Sequence, residues 1–225
     1  FTVITKSGAR APRRHMLITR EAAHDLCADL MTLQIHDERD NNMRPARVIV
    51  FTRSVKGAQM GCTRLRKHLV KIGRSDLAGR VADYYSAKSD KNDTFSNLRA
   101  GKIQCIYSTT ALMAGIDIGS LDVVVVDGFP GLVMDARQMF GRAGRASEGA
   151  AIFIAHRGDA FDEFYLENPD LLFAGVTEPV IANPENPLLM GAHLLCASRA
   201  SGYEKPAEGP LDVRAIKLFG ESGSD

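Results

Sequence analysis

An open α/β sheet, largely parallel and covered by helices on both faces, is the architecture this sequence predicts. Three observations carry that expectation. Five short apolar runs, "RVIVF", "RVADYYS", "IQCIYS", "DVVVVDGF" and "GAAIFIAH", recur between residues 47 and 156. Between them lie stretches with helical spacing of apolar residues, and such alternation gives parallel strands buried on both sides. The chain has 225 residues, 45% of them hydrophobic, enough for one large domain or a domain with an appendage.

The elements follow in order. Residues 1 to 18 read as a strand or an extended arm with an "SGARAP" turn. Leu26, Leu30 and Leu33 share one helical face in "TREAAHDLCADLMTLQIHD", and Thr19 is the expected N-cap. "RDNNMRPA" reads as a loop. "RVIVF" is a buried strand, and "SVKGAQMGCTRLRKHLVKIG" is a helix closed by Gly73. "RVADYYS", "IQCIYS", "DVVVVDGF" and "GAAIFIAH" are the remaining strands. Short helices are expected over "DTFSNLRAGK" and "TTALMAG", and a longer one over "MDARQMFGRAGR". Past residue 158 the pattern changes. "DAFDEFYLENPDLLFAG" is helical with a break at Pro169, "ENPLLMGAHLLCASRA" is a last helix, and the tail is rich in Gly, Pro and Ser. The resulting partition is an arm and helix over 1–44, an α/β domain over 45–158 and a helical extension over 159–225.

Composition narrows the function classes. No stretch approaches the ~18 consecutive apolar residues of a membrane span, and no membrane partner is expected. The chain opens "FTVITKSGARAP" without a leader pattern, which suggests a piece of something longer. Cys27, Cys62, Cys105 and Cys196 show no CxxC spacing, so no zinc is expected from them, and scattered thiols fit a reducing cytoplasm. Net charge is +1 but unevenly spread. Residues 1 to 80 hold 16 Lys+Arg against 7 Asp+Glu, a balance of +9, while the remainder carries −8. A basic half suits a polyanion partner and equally suits an ordinary solvated surface.

Two places carry chemistry. Ligands of open α/β sheets bind beyond the carboxyl ends of strands. In "IQCIYSTTALMAGIDIG" a strand ends at Ser108, and Thr109 and Thr110 open a helix whose free N–H groups suit phosphate. Gly115 then permits a tight turn presenting Asp117. Ordinary N-capping explains the threonines about as well. In "QMFGRAGR", a continuous helix would put Gln138, Arg142 and Arg145 at i, i+4 and i+7 on one face, with Gly141 and Gly144 keeping that face flat. Two guanidiniums and an amide aimed at one place suit a triphosphate.

"QMFGRAGR", preceded by "STTALMAGIDIGSLDVVVV" and "RVIVFTRSVKGAQ", resembles motifs VI, V and IV of superfamily 2 helicases, in that order over about a hundred residues. "VFTRS", "ALMAGIDIGSLD", "GFPG" and "NPENPLLMGAHLLCAS" are similar to the MrfA/Hrq-type DNA-repair helicases. Val55, Gln59, Thr110 and Met113 depart from that pattern. The resemblance implies a RecA-like sheet, the second of two in a motor, with an N-terminal arm and a helical C-terminal extension. It implies ATP in the cleft between the two halves, with Arg142 and Arg145 as arginine fingers and Gln138 sensing the γ-phosphate. Gly115 and Asp117 lie near the nucleotide in that picture, and Arg53, Ser54, Ser108 and Thr109 hold strand phosphates without reading sequence. No GxxxxGK[ST] loop occurs. The Mg²⁺ carboxylates and phosphate loop are therefore expected on an N-terminal RecA-like domain of the same parent chain. The partner is nucleic acid, by the subgroup resemblance DNA. A non-catalytic nucleic-acid-binding or docking module, and an RNA helicase, are the competing expectations.

Overall fold

The computed structural model describes residues 13–19, 23–37, 41–86, 91–110, 121–144, 148–179, 186, 188–189, 191–193 and 196. Its central feature is a six-stranded parallel sheet. The strands are β1 (Arg13–Thr19), β4 (Val48–Thr52), β5 (Val81–Tyr84), β6 (Cys105–Ser108), β7 (Val123–Asp127) and β8 (Gly149–Ala155), in the spatial order β1-β8-β7-β4-β6-β5. The chain leaves β4 toward β6 and β5 and later crosses to β7 on the other side. The reversal lies between β4 and β7, and their carboxyl ends flank the crevice where ligands of such sheets bind.

Strand parity builds the core. Side chains alternate across a strand, so one face takes Val48 and Val50 and the other Ile49 and Phe51; Val123 and Val125 likewise oppose Val124 and Val126. Helices α1 (Ala23–Thr32), α2 (Val55–Lys71) and α3 (Ser75–Ala78) cover the first face with Met31, Leu65, Leu69 and Leu77. The second is covered by α4 (Lys91–Arg99), α5 (Val133–Phe140), α6 (Ala160–Glu167) and α7 (Pro169–Phe173), through Leu98, Val133, Met139, Phe140 and Leu172. Three of the four cysteines scattered in sequence, Cys27, Cys62 and Cys105, converge in the first cluster, buried and not joined by disulfides. Hydrogen bonding to Cys27, and then burial, push the Cys105 thiol well above its ordinary value, so it stays neutral.

Several expectations change. The helix expected to run through Asp37 ends at Thr32, and "RDNNMRPA" is not all loop. β2 (Gln34–Asp37) pairs antiparallel with β3 (Asn42–Pro45). Asn41 supplies the left-handed residue of that turn at φ 52°, a conformation Asn tolerates because its amide bonds locally, here to His36 Nε2 at 3.0 Å. The anchor is distant: Arg44 donates two hydrogen bonds to Asp122, at 2.6 and 2.8 Å, and Arg47 N–H donates a third at 2.8 Å. Period-3.6 reasoning has no access to a partner 78 residues away. Of the two readings left open for the N-terminal segment, residues 13–19 take the strand, at the sheet's edge, paired in register from Arg13 with Gly149 to Thr19 with Ala155. Contacts divide the chain after Glu178 rather than after residue 158, because α6 and α7 bury Asp162 and Leu172 against the sheet. In the second unit, residues 179–225, Asn186 Oδ1 accepts from Leu188 N–H and Leu189 N–H, an N-cap at the expected helix. Leu188 is 84% exposed there. The expected helix over "TTALMAG" lies mostly outside the described residues.

Candidate functional site

The carboxyl edge of the sheet begins with β4. Thr52, nearly buried, donates from Oγ1 to the carbonyls of Ser54 at 3.1 Å and Ser108 at 3.3 Å, tying the loop after β4 to the end of β6. Ser54 is the N-cap of α2, its Oγ accepting Gly57 N–H at 3.0 Å. The residue itself is exposed. Gln59, in the second turn of α2, donates to the Tyr85 hydroxyl at 3.2 Å, which ties that helix to the loop after β5.

Arg53, expected to hold a strand phosphate, is engaged instead by Asp159, whose Oδ2 lies 2.5 Å from Nη1. Its guanidinium covers Gly128; a Cβ there would lie 3.1 Å from Arg53 Nε, and the φ of +81° already excludes most side chains. The hydrogen bond to Asp159 raises the Arg53 pKa, and the reciprocal bond from Arg53 holds Asp159 below the usual carboxylate range. Beside this pair, His156 Nε2 meets Asp127 Oδ1 at 2.7 Å, and that hydrogen bond raises the imidazole pKa. Asp162, fully buried, accepts from the N–H groups of Phe129 at 2.6 Å and His156 at 2.9 Å, so one carboxylate clasps the ends of β7 and β8. Sequence reasoning passed over Asp127, His156, Asp159 and Asp162. A usable signal existed for three of them: Asp127 ends the apolar run of β7, and His156 and Asp159 follow that of β8 within about a turn.

Ser108 is fully buried and its hydroxyl donates to the Thr109 carbonyl at 3.0 Å. Its side chain is thus committed inward, against the expected strand contact. Thr109 is half-exposed and Thr110 exposed at the mouth of β6.

The "QMFGRAGR" segment lies elsewhere. α5 starts near the carboxyl end of β7, where Val133 N–H and Met134 N–H donate to Glu178 at 2.6 and 3.1 Å. Hydrogen bonds from those amides lower the Glu178 pKa, as a helix N-terminus does for an anion. The helix then runs back across the sheet and stops at Phe140. Gly141 is its C-cap, Ala143 bridges Leu121 at the amino end of β7, and Gly144 takes φ +63° and donates to the Leu121 carbonyl at 2.9 Å. A Cβ on Gly149 would meet Gly144 N at 2.4 Å. The glycines therefore end the helix and let two backbones touch, rather than flattening a longer helical face. Gln138 is exposed on the last turn of α5, and Arg142 is half-buried in the turn beyond it. They are not on one helical face, and they stand at the amino edge, not the carboxyl edge. Arg145, Gly115 and Asp117 lie outside the described residues. An amide and a guanidinium offer N–H donors that fit phosphate oxygens and are poor ligands for Mg²⁺.

A RecA-like parallel sheet with these three loops defines the second motor-type domain of a superfamily 2 helicase. The model of the helicase conserved C-terminal domain family matches residues 25–147, and the chain belongs to that family. Within it, the chain is of the Hrq/MrfA type. It is 33% identical over 183 residues to the ATP-dependent helicase hrq1 of Schizosaccharomyces pombe, covering 80% of this chain and 16% of that protein. It is 32% identical over 171 residues to the ATP-dependent helicase YprA of Bacillus subtilis, covering 76% and 22%. The helicase MrfA bound to DNA and AMPPNP superposes with a TM-score of 0.60 at 28% identity, covering 83% of this chain and 26% of that one. The C-terminal domain of the DEAD-box protein Dbp5 shares the fold, with a TM-score of 0.51 at 18% identity over 75% of this chain and 87% of its own. The chain thus spans between 16% and 22% of the length of these two curated relatives.

Proposed function

We propose that this chain is the second motor domain of an ATP-dependent nucleic-acid helicase or translocase, acting on DNA. What carries the reading is the division of labour between the two edges of one sheet. Thr109 and the α2 N-terminus open on the carboxyl edge, while Gln138 and Arg142 stand at the amino edge beyond α5. A motor needs such separation, because a strand and a nucleotide must be gripped at once by different loops of a rigid body. Support for ATP comes from relatives named ATP-dependent helicases, and support for DNA from MrfA, whose structures hold DNA and AMPPNP.

In this mechanism ATP and Mg²⁺ lie between this domain and an N-terminal RecA-like domain of the same parent chain, which supplies the metal carboxylates. Arg142 and Arg145 stabilise charge on the γ-phosphoryl group in transfer, an effect of roughly 10³–10⁵ in rate in comparable systems. Gln138 reports the γ-phosphate, and Gly115 and Asp117 border the nucleotide. Thr109, Ser54 and Arg53 bind backbone phosphates. Arg53 reaches a phosphate by exchanging Asp159 for it, an anion for an anion. The partition into 1–44, 45–158 and 159–225 belongs to this reading as functional segments.

The test is a pair of substitutions in the full-length protein. Arg142→Ala is expected to lower kcat at least a hundredfold with little change in ATP or strand affinity, since the finger acts mainly in the transition state. Thr109→Val is expected to weaken single-strand binding severalfold and keep basal turnover. Basal turnover that survived Arg142→Ala while strand binding vanished would make the arginine a strand clamp and end the reading.

A further inference from the structure

Two histidines from different helices converge on one carboxylate oxygen. His24 and Asp25 are adjacent in the first turn of α1, and His68 is in the last turn of α2. His24 Nε2 lies 3.5 Å from Asp25 Oδ1, and His68 Nδ1 lies 3.3 Å from the same atom. The two rings meet edge to face, with centroids 5.4 Å apart. The three ligand atoms all fall within 4.8 Å of one another.

We propose that His24, Asp25 and His68 bind a divalent late first-row transition metal, zinc fitting best, which staples α1 to α2. Distance argues first. N–H···O hydrogen bonds run about 2.7–3.2 Å, and both contacts are longer. Zinc bonds of about 2.0–2.1 Å to imidazole and carboxylate give tetrahedral edges of about 3.3–3.4 Å, close to both spacings. Chemistry argues second. A carboxylate oxygen only accepts, and a neutral imidazole nitrogen facing it without its proton offers a second lone pair; a cation between them satisfies both. Two imidazoles and a carboxylate select zinc and its neighbours, whereas Mg²⁺ and Ca²⁺ take oxygen.

Position argues third. The last turn of α2 turns its carbonyls toward a cation, and His68 sits within that turn. The side chains of His24, Asp25 and His68 are 26%, 43% and 25% exposed, so ions reach them and water completes the shell. Three protein ligands leave one such position open. The metal would cross-link the helix that follows edge strand β1 to the helix that follows β4. Their buried seam already joins Cys27, Ala28 and Met31 to Cys62, Leu65 and Leu69. Binding only to the folded state stabilises it. The proposal stands independently of the helicase mechanism.

Untagged full-length protein, stripped with chelator and dialysed, is titrated with cobalt(II) while visible d–d absorption is followed. Wild type is expected to bind one more equivalent than His24→Gln or His68→Gln, without the sulfur charge-transfer bands of thiolate ligation, and zinc displaces that equivalent. Zinc raises the wild-type Tm by more than it raises that of either variant. In parallel, zinc added to wild type is expected to shield His24 and His68 from carbethoxylation, a readout that needs no variant to fold. Equal cobalt stoichiometry in wild type and both variants, half-saturation above about 1 mM, or unshielded histidines would each overturn the site.

Discussion

The two edges of the sheet are both charged, yet they are held in opposite ways. At the amino edge, Asp122 is 2% exposed and takes three hydrogen bonds from Arg44 and Arg47. At the carboxyl edge, Arg53 is 48% exposed and is held by Asp159. Burial makes the first pair obligatory, because a lone charge there has no water to turn to. Exposure makes the second exchangeable, because water or another anion replaces the partner at little cost. An edge that must release and regrip a polyanion is suited by the second kind. An edge that seats the end of α5 against β7 is suited by the first.

The comparison breaks most visibly at Asp122. Asp122→Ala is expected to cost about 3 kcal/mol by stripping a half-buried guanidinium of its bidentate acceptor, read by urea denaturation. A cost below 1 kcal/mol would place both edges in the same class. Next is Asp162, the buried exception on the carboxyl edge. Asp162→Ala is expected to cost about 1.5–3 kcal/mol and to speed amide exchange at Phe129 and His156, whose N–H groups it now accepts.

A smaller effect is pH-dependent. The Asp127 hydrogen bond raises the His156 pKa above its ordinary value, so the charged imidazole is favoured by folding. That contribution is complete below about pH 6.5, the ordinary histidine value, and is lost as pH rises through the raised one. The Tm difference between wild type and His156→Gln should therefore be largest in mild acid and shrink toward alkaline pH. A difference that grew with pH would reverse the assignment. The smallest stability effect belongs to Asp159→Asn, below about 1 kcal/mol because its partner is exposed. It should nonetheless free Arg53 and tighten single-strand binding up to roughly fivefold at low salt, the equivalent of about 1 kcal/mol. Unchanged or weaker binding would show that Asp159 positions Arg53 rather than competing for it.

Much of the site could be read in one dimension. The "VFTRS", "STTALMAG" and "QMFGRAGR" motifs point to the right family. The end of α5 could not be read: "QMFGRAGR" keeps helical spacing, and only the bridge of Ala143 to Leu121 shows why the chain turns at Gly141. Ser108 has a hydroxyl at the mouth of a strand, but its commitment to the Thr109 carbonyl depends on the local turn. Arg53 reads as a free phosphate donor until Asp159, 106 residues later, is brought beside it.

By itself the sequence determined the strands of the central sheet, most helices and the parity of the core, because burial of alternating or 3.6-spaced residues is a property of neighbours along the chain. Only the tertiary structure decided which edge each functional segment occupies and which charges are latched. It also decided that His24, Asp25 and His68 meet. Those outcomes depend on Coulomb and hydrogen-bond distances of about 3 Å in space, which the separation of residues along the chain does not encode.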